Sequence, residues 1–182
     1  MKIPALMACA ALIVPVTVMG QSSMTKNTMG SEPAPQISVE AQHFLSVLAS
    51  EDQSEINMAR LALKKSSNAQ IQQYAKSKIL AADPSMEQTA KGIAQRGHFP
   101  VTGLPDQTAE AEYYYLSRLS GKAFDKAYMS YEDQKQAADL IMVQNEVTSA
   151  KEPQVKSFAQ KEVAPVQQAA QAASKIAHAV GA

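Results

Sequence analysis

The stretch Asn68-Ala-Gln-Ile-Gln-Gln-Tyr-Ala-Lys-Ser-Lys-Ile79 returns, 84 residues on, as Glu152-Pro-Gln-Val-Lys-Ser-Phe-Ala-Gln-Lys-Glu-Val163. Gln70/Gln154, Ile71/Val155, Tyr74/Phe158, Ala75/Ala159 and Ile79/Val163 fall in register. Upstream, the same offset pairs Phe44 with Tyr128, Glu55 with Asp139 and Met58 with Met142. Self-similarity at a fixed interval marks one supersecondary unit used twice. Each copy reads as helix, short turn, helix. The expected fold is therefore all-α, two helical hairpins folded against each other.

Helix signals fix the boundaries. Ser38 can cap a first helix reaching about Lys65, with Phe44, Val47, Leu48, Met58 and Ala62 forming an apolar stripe at three- and four-residue steps. Asn68 caps the second, whose buried face reads Ile71, Ala75, Ile79, Ala82, Met86 and Ile93. Pro84 interrupts it, with Asp83 placed to cap a restart, and Gly97 ends it. Pro100, Gly103 and Pro105 make 98–105 irregular. A short helix is expected over Thr108–Leu119, carrying Tyr113-Tyr114-Tyr115. Three consecutive tyrosines cannot all point inward from a helix, so at least one must face solvent or a partner while the run lids one end of the bundle. Gly121 is a break. The third helix is expected over Lys122–Ala150, with Leu140, Val143 and Val147 on one face. The fourth starts at Pro153, a favoured first-turn residue, and buries Val155, Ala159, Val166, Ala170, Ala173, Ile176 and Val180; Pro165 should bend it.

Residues 1–20 carry one cation, Lys2, then an uncharged apolar stretch, with Val18 and Gly20 suited to cleavage before Gln21. This is the layout of a signal peptide, too short and too interrupted by Pro4 and Pro15 for a good membrane span. A rival lipoprotein box at Leu6-Met-Ala-Cys9 leaves only eight residues ahead of Cys9, too few for an apolar core. Residues 21–37, rich in Ser, Thr, Asn, Gly and Pro, read as a disordered tether, and 38–180 as one folded domain. After cleavage, 162 residues remain, with 16 cations against 17 acids and no cysteine, because Cys9 leaves with the leader. Such a chain is held by its core alone, and no transmembrane helix is expected in it. With neither a basic patch nor aromatic-basic interleaving, it lacks the electrostatic footprint of a nucleic-acid binder.

The chemistry-bearing residues are sparse. His98 sits in a loop and His178 near the chain's end, so no nucleophile-His-carboxylate set can be assembled. No Gly-x-Ser-x-Gly elbow or glycine-rich phosphate loop occurs. Glu40-Ala-Gln-His43 has metal-ligand spacing but lies in the first turn of helix one without a second copy, which suits an exposed pair. Met24 and Met29 are a thioether pair without nearby His or Cys, more simply an incident of the tether than a copper site. Glu51 and Glu55, one turn apart, could serve acid-base chemistry or form a core-edge hydrogen-bonding pair.

The block Leu119-Ser-Gly-Lys-Ala-Phe-Asp-Lys-Ala-Tyr-Met129 resembles the Leu-Ser-Gly…Phe-Asp-x-x-Tyr signature of a bacterial family of secreted domains of unknown function, DUF4142. Ala59-Arg-Leu-Ala-Leu63, Ser66-Ser-Asn68, Tyr74-Ala75 and Phe158-Ala159 with Pro165 match its other blocks, so the resemblance runs from Phe44 to about Val180. It implies a ferritin-like four-helix bundle of two hairpins joined by a long crossover that carries the short extra helix. Members are often labelled predicted outer membrane proteins.

Typical members have Asp-His after the Phe-Ala of helix two and histidines on helices three and four. Those slots hold Ala81-Ala82, Gln136 and approximately Ala170 here, while the acid of helix one is kept as Glu55. The metal slots are therefore degenerate, and no transition metal or other cofactor is expected. Gln136, on the face of Leu140 and Val143, should be at least partly buried and pair with Glu55. The leading expectation is a non-catalytic periplasmic or secreted bundle, with outer-membrane association as one form of it, acting through contacts with an envelope protein. The alternatives are a ferritin-like metal-binding or redox protein with a degenerate site, and a lipid- or small-molecule-binding bundle.

Overall fold

The computed structural model describes residues 37–105 and 107–182. The expected signal peptide and most of the expected tether lie outside the described residues. The described residues form helices joined by turns and loops, without strands: α1 (Val39–Lys65), α2 (Ala69–Tyr74), a π-helical turn (Ala75–Ile79), α3 (Asp83–Arg96), α4 (Gln107–Ser117), α5 (Gly121–Ser149) and α6 (Pro153–Val180).

Local chemistry sets the ends. The Ser38 hydroxyl accepts from the Ala41 amide at 3.3 Å, and Asn68 Oδ1 accepts from the Gln70 amide at 2.9 Å, each satisfying a first-turn donor. Pro153 occupies the first turn of α6, and Gly181, at φ 72°, closes it in the left-handed conformation that glycine adopts without steric cost. The second helix breaks near Pro84, through the π turn and the turn at residues 80–82, before α3 restarts.

Two expectations are corrected. Ile37, assigned to the tether, is 3% exposed and packs in the core, with its carbonyl accepting from Gln42 Nε2. Asp83 does not cap α3: Ala82 holds the cap position without a side-chain bond, and the Asp83 carboxyl is buried instead. Gly121, at φ 54°, stands at the break between α4 and α5.

The core has three layers. Phe44, Leu45 and Leu48 of α1 form one apolar cluster with Met86 and Ile93 of α3, Val143 of α5, and Val155, Phe158 and Val166 of α6. Met58 and Leu61 of α1 form another with Ile71, Tyr74, Ile79, Phe124, Tyr128 and Ala173. Between them lie buried polar residues: Asp52 and Glu55 of α1, Asp83 of α3, and Glu132, Gln136 and Asp139 of α5. The order of the layers along each helix gives its direction. α1 and α6 run one way, and α2–α3 and α5 the other, so the crossover carrying α4 traverses the length of the bundle. This is the arrangement of a ferritin-like bundle.

Candidate functional site

The middle layer is the candidate site. On α5, Tyr128, Glu132, Gln136, Asp139 and Val143 recur at steps of four and three, so one buried face carries acid, amide and acid between apolar ends. On α1 the same logic places Asp52 and Glu55 between Leu48 and Met58. The restart at Pro84 sets Asp83 at the matching height on α3.

Lys135 lies at the centre. Its ammonium is 3.3 Å from Glu51 Oε2 and 3.4 Å from Glu55 Oε1, and it forms an ion pair with Asp139 one turn along α5. Gln136 Nε2 donates to Glu55 Oε2 at 2.5 Å, a bond from an amide to a buried carboxyl. Glu132, fully buried, accepts from the Tyr74 hydroxyl at 2.9 Å. The Tyr128 hydroxyl is directed at the same carboxylate without forming a hydrogen bond of good geometry. One carboxylate oxygen each of Asp52, Asp83 and Glu132 has no hydrogen-bond partner among the described residues.

The electrostatics follow from burial. Glu51, Glu55 and Asp139 share a single ammonium, and Asp52, Asp83 and Glu132 are buried in the same layer, more negative charge than a low-dielectric interior tolerates. Burial pushes the Glu51 and Glu132 carboxyls up to about 7, against the opposing pull of Lys135 on the first and of the tyrosine hydroxyls on the second. Burial, reinforced by the neighbouring acids, holds Asp52, Glu55 and Asp83 well above the ordinary carboxylate range. For Lys135, burial pulls the other way, but Glu55, Asp139 and Glu51 outweigh it and raise its pKa. The cluster is thus partly protonated at neutral pH, organised around one permanent cation.

The residue slots implied by the resemblance can now be placed. Glu55 and Gln136 are 3% and 4% exposed and bonded to each other. Ala82 and Ala170 are half-buried, and Ala169 rather than Ala170 faces the layer from α6. A pocket of about 20 Å³ opens there against Asp52, Asp83, Asp139 and Gln136, about the space of one solvent molecule. Asp52, Asp83, Glu132 and Lys135 were absent from the sequence-level site. In the sequence Asp52, Glu132 and Lys135 read as ordinary charges of a helix surface and Asp83 as a cap beside Pro84, so no local signal marked them.

Glu40 and His43 are exposed on the first turns of α1, in a groove against α5. Tyr113 is half-buried, and Tyr114 and Tyr115 are 65% and 54% exposed. Their helix α4 borders a separate cleft of about 430 Å³ against α1.

The model of the domain of unknown function DUF4142 matches residues 26–176. The chain belongs to the DUF4142 family. No curated protein matches it by sequence. Three solved structures share the fold of this DUF4142 chain. A DUF305 fragment from Deinococcus radiodurans superposes with a TM-score of 0.70 at 14% identity, covering 79% of this chain and 99% of that one. CopM in a Cu(II)-bound form gives 0.65 at 16% identity, covering 76% and 95%. CopM in an Ag-bound form gives 0.61 at 18%, covering 74% and 93%. At these identities the likeness is one of fold.

A ferritin-like fold implies a metal centre in the middle layer, and the residues of this DUF4142 chain do not fit one. Such a centre needs carboxylates on two helices and a Glu-x-x-His pair on each of the other two. Here the α6 side presents alanine, the α5 slot is an amide committed to Glu55, and an ammonium stands among the carboxylates. Among the described residues, no three His, Cys, Asp or Glu side chains are arranged to hold a metal ion.

Proposed function

We propose that this protein is a non-catalytic, extracytoplasmic helical bundle that acts through its outer surface, by contact with an envelope partner. The observation that carries this reading is the Lys135 ammonium within 3.4 Å of Glu51 and Glu55 and paired with Asp139. A fixed internal cation neutralises these carboxylates and repels a divalent ion from the same point, so the layer that is a reaction centre in metal-bearing bundles is a structural charge cluster here. One expectation supports a periplasmic or secreted location: the signal-peptide layout of residues 1–20.

The test uses the exported, untagged protein. Elemental analysis and a melting curve with and without chelator should show no stoichiometric metal and no chelator effect, while crosslinking in intact envelopes should trap a defined partner. A metal lost on Glu55→Gln substitution would overturn the structural reading of the core.

Metal handling is the second reading, favoured by one observation besides the Cu(II)- and Ag-bound CopM structures. The groove between α1 and α5 is lined by His43, Met142, Glu40 and Glu146, and imidazole and thioether are donors for copper or silver ions. Calorimetric titration with Cu(II) and Ag(I), repeated on His43→Ala, tests it. Saturable binding lost in the variant supports this reading.

A further inference from the structure

The cleft between α1 and α4 has its own chemistry. Its volume, about 430 Å³, is within the range of small-molecule sites. Met58 and Leu61, both buried, make an apolar floor. Arg60 and Lys64 line it from successive turns of α1, and both are exposed. Neither forms an ion pair with a described acidic residue. Asn57, on the same helix, makes no hydrogen bond among the described residues and is free to bond a ligand. On the α4 side stand Tyr113 and Tyr114, their rings 6.2 Å apart and nearly perpendicular. Among the described residues, Glu110 is the one acidic residue in the lining.

These features select a ligand class. Among the described lining residues, two cations against one carboxylate leave a single positive charge, which suits a monoanion better than a dianion or a neutral molecule. The apolar floor and the tyrosine wall suit a flat hydrophobic body, because aromatic rings add edge and face contacts to simple burial. We propose that this cleft binds a small amphipathic monoanion, a carboxylate or sulfonate on an aromatic or otherwise flat apolar body. The site goes beyond the contact function proposed above and does not depend on it. It also gives the Tyr113-Tyr114-Tyr115 run a role: Tyr113 and Tyr114 form one wall of the cleft, and Tyr115 remains in solvent.

The test uses two fluorescent probes of one shape, 1-anilinonaphthalene-8-sulfonate and the uncharged N-phenyl-1-naphthylamine. The folded full chain should bind the sulfonate saturably at one site, with amide shifts centred on residues 57–64 and 109–114. An Arg60→Gln, Lys64→Gln double variant should weaken the sulfonate by about fivefold and leave the neutral probe unchanged. Tyr114→Ala should weaken both. All three positions are exposed, so circular dichroism should confirm that the variants remain folded. Unchanged sulfonate affinity in the double variant, shifts centred on another surface, or equal loss of both probes on charge removal would each overturn the assignment.

Discussion

A buried ammonium is tolerated only while its carboxylates remain, and the reverse holds too. Lys135→Met leaves Glu51, Glu55 and Asp139 facing one another without a cation, which should destabilise the fold by about 3–5 kcal/mol at neutral pH. Urea unfolding measures it, and a loss below 1 kcal/mol would show that the carboxyls are neutral without the lysine. The bond from Gln136 to Glu55 makes a second expectation at this scale. Gln136→Leu removes the donor from a buried carboxylate and should cost about 1–3 kcal/mol. In a cycle with Glu55→Leu, the two losses should be strongly non-additive, coupled by at least about 0.5 kcal/mol. Additive losses would mean that the pair is incidental.

At the scale of the element, Ile37 and α3 depend on each other. A Cβ on Gly97, the residue that caps the C-terminal end of α3, would fall 2.1 Å from Ile37 Cδ1. Gly97→Ala should therefore cost about 1–3 kcal/mol through overpacking, and shortening the neighbour with Ile37→Ala should recover part of that loss. A melting temperature unchanged by Gly97→Ala would show that Ile37 simply moves aside. The helices themselves were legible because their punctuation is local: Ser38, Asn68, Pro84, Gly97 and Pro153 each act within a few residues of where they stand. The bonded pair Glu55 and Gln136 could be placed because the family resemblance marks both positions as core slots, Gln136 on the face of Leu140 and Val143. The rest of the middle layer could not. Asp52, Asp83 and Glu132 look like ordinary surface charges in a helical sequence, and Asp83 next to Pro84 has the pattern of a cap. Only the height at which α3 restarts turns its carboxyl inward, and that height is set by the π turn and the turn at 80–82. No short-range pattern encodes it.

At the scale of the whole molecule, the raised carboxyls reverse the usual effect of acid. An unfolded glutamate titrates near 4.5, whereas Glu51 and Glu132 titrate at about 7 in the folded chain. The folded state therefore binds more protons between those values. The stability this contributes is fully present below about 4.5 and is lost as pH rises through 7. Glu152 works in the opposite sense: burial would raise its pKa, but hydrogen bonding from Ser38 lowers it, so its contribution fades under acid. The melting temperature should thus fall from pH 5 to pH 8, and Glu132→Gln should flatten the slope. A melting temperature that rises over that interval would contradict the protonated core.

The offset that relates the two hairpins also relates Glu51 to Lys135 and Asp52 to Gln136. Equivalent positions of one ancestral pattern thus carry opposite or complementary groups, and in the folded chain Lys135 meets Glu51 directly. The consequence is mutual recognition between unlike halves. Two copies of the first hairpin packed on each other would bring Glu51, Asp52 and Glu55 from both sides into one dry layer with no ammonium and no amide donor. That pairing is penalised by the same charges that favour the correct one. Should the crossover be cut, each first hairpin is set to rejoin a second hairpin and to reject its own kind.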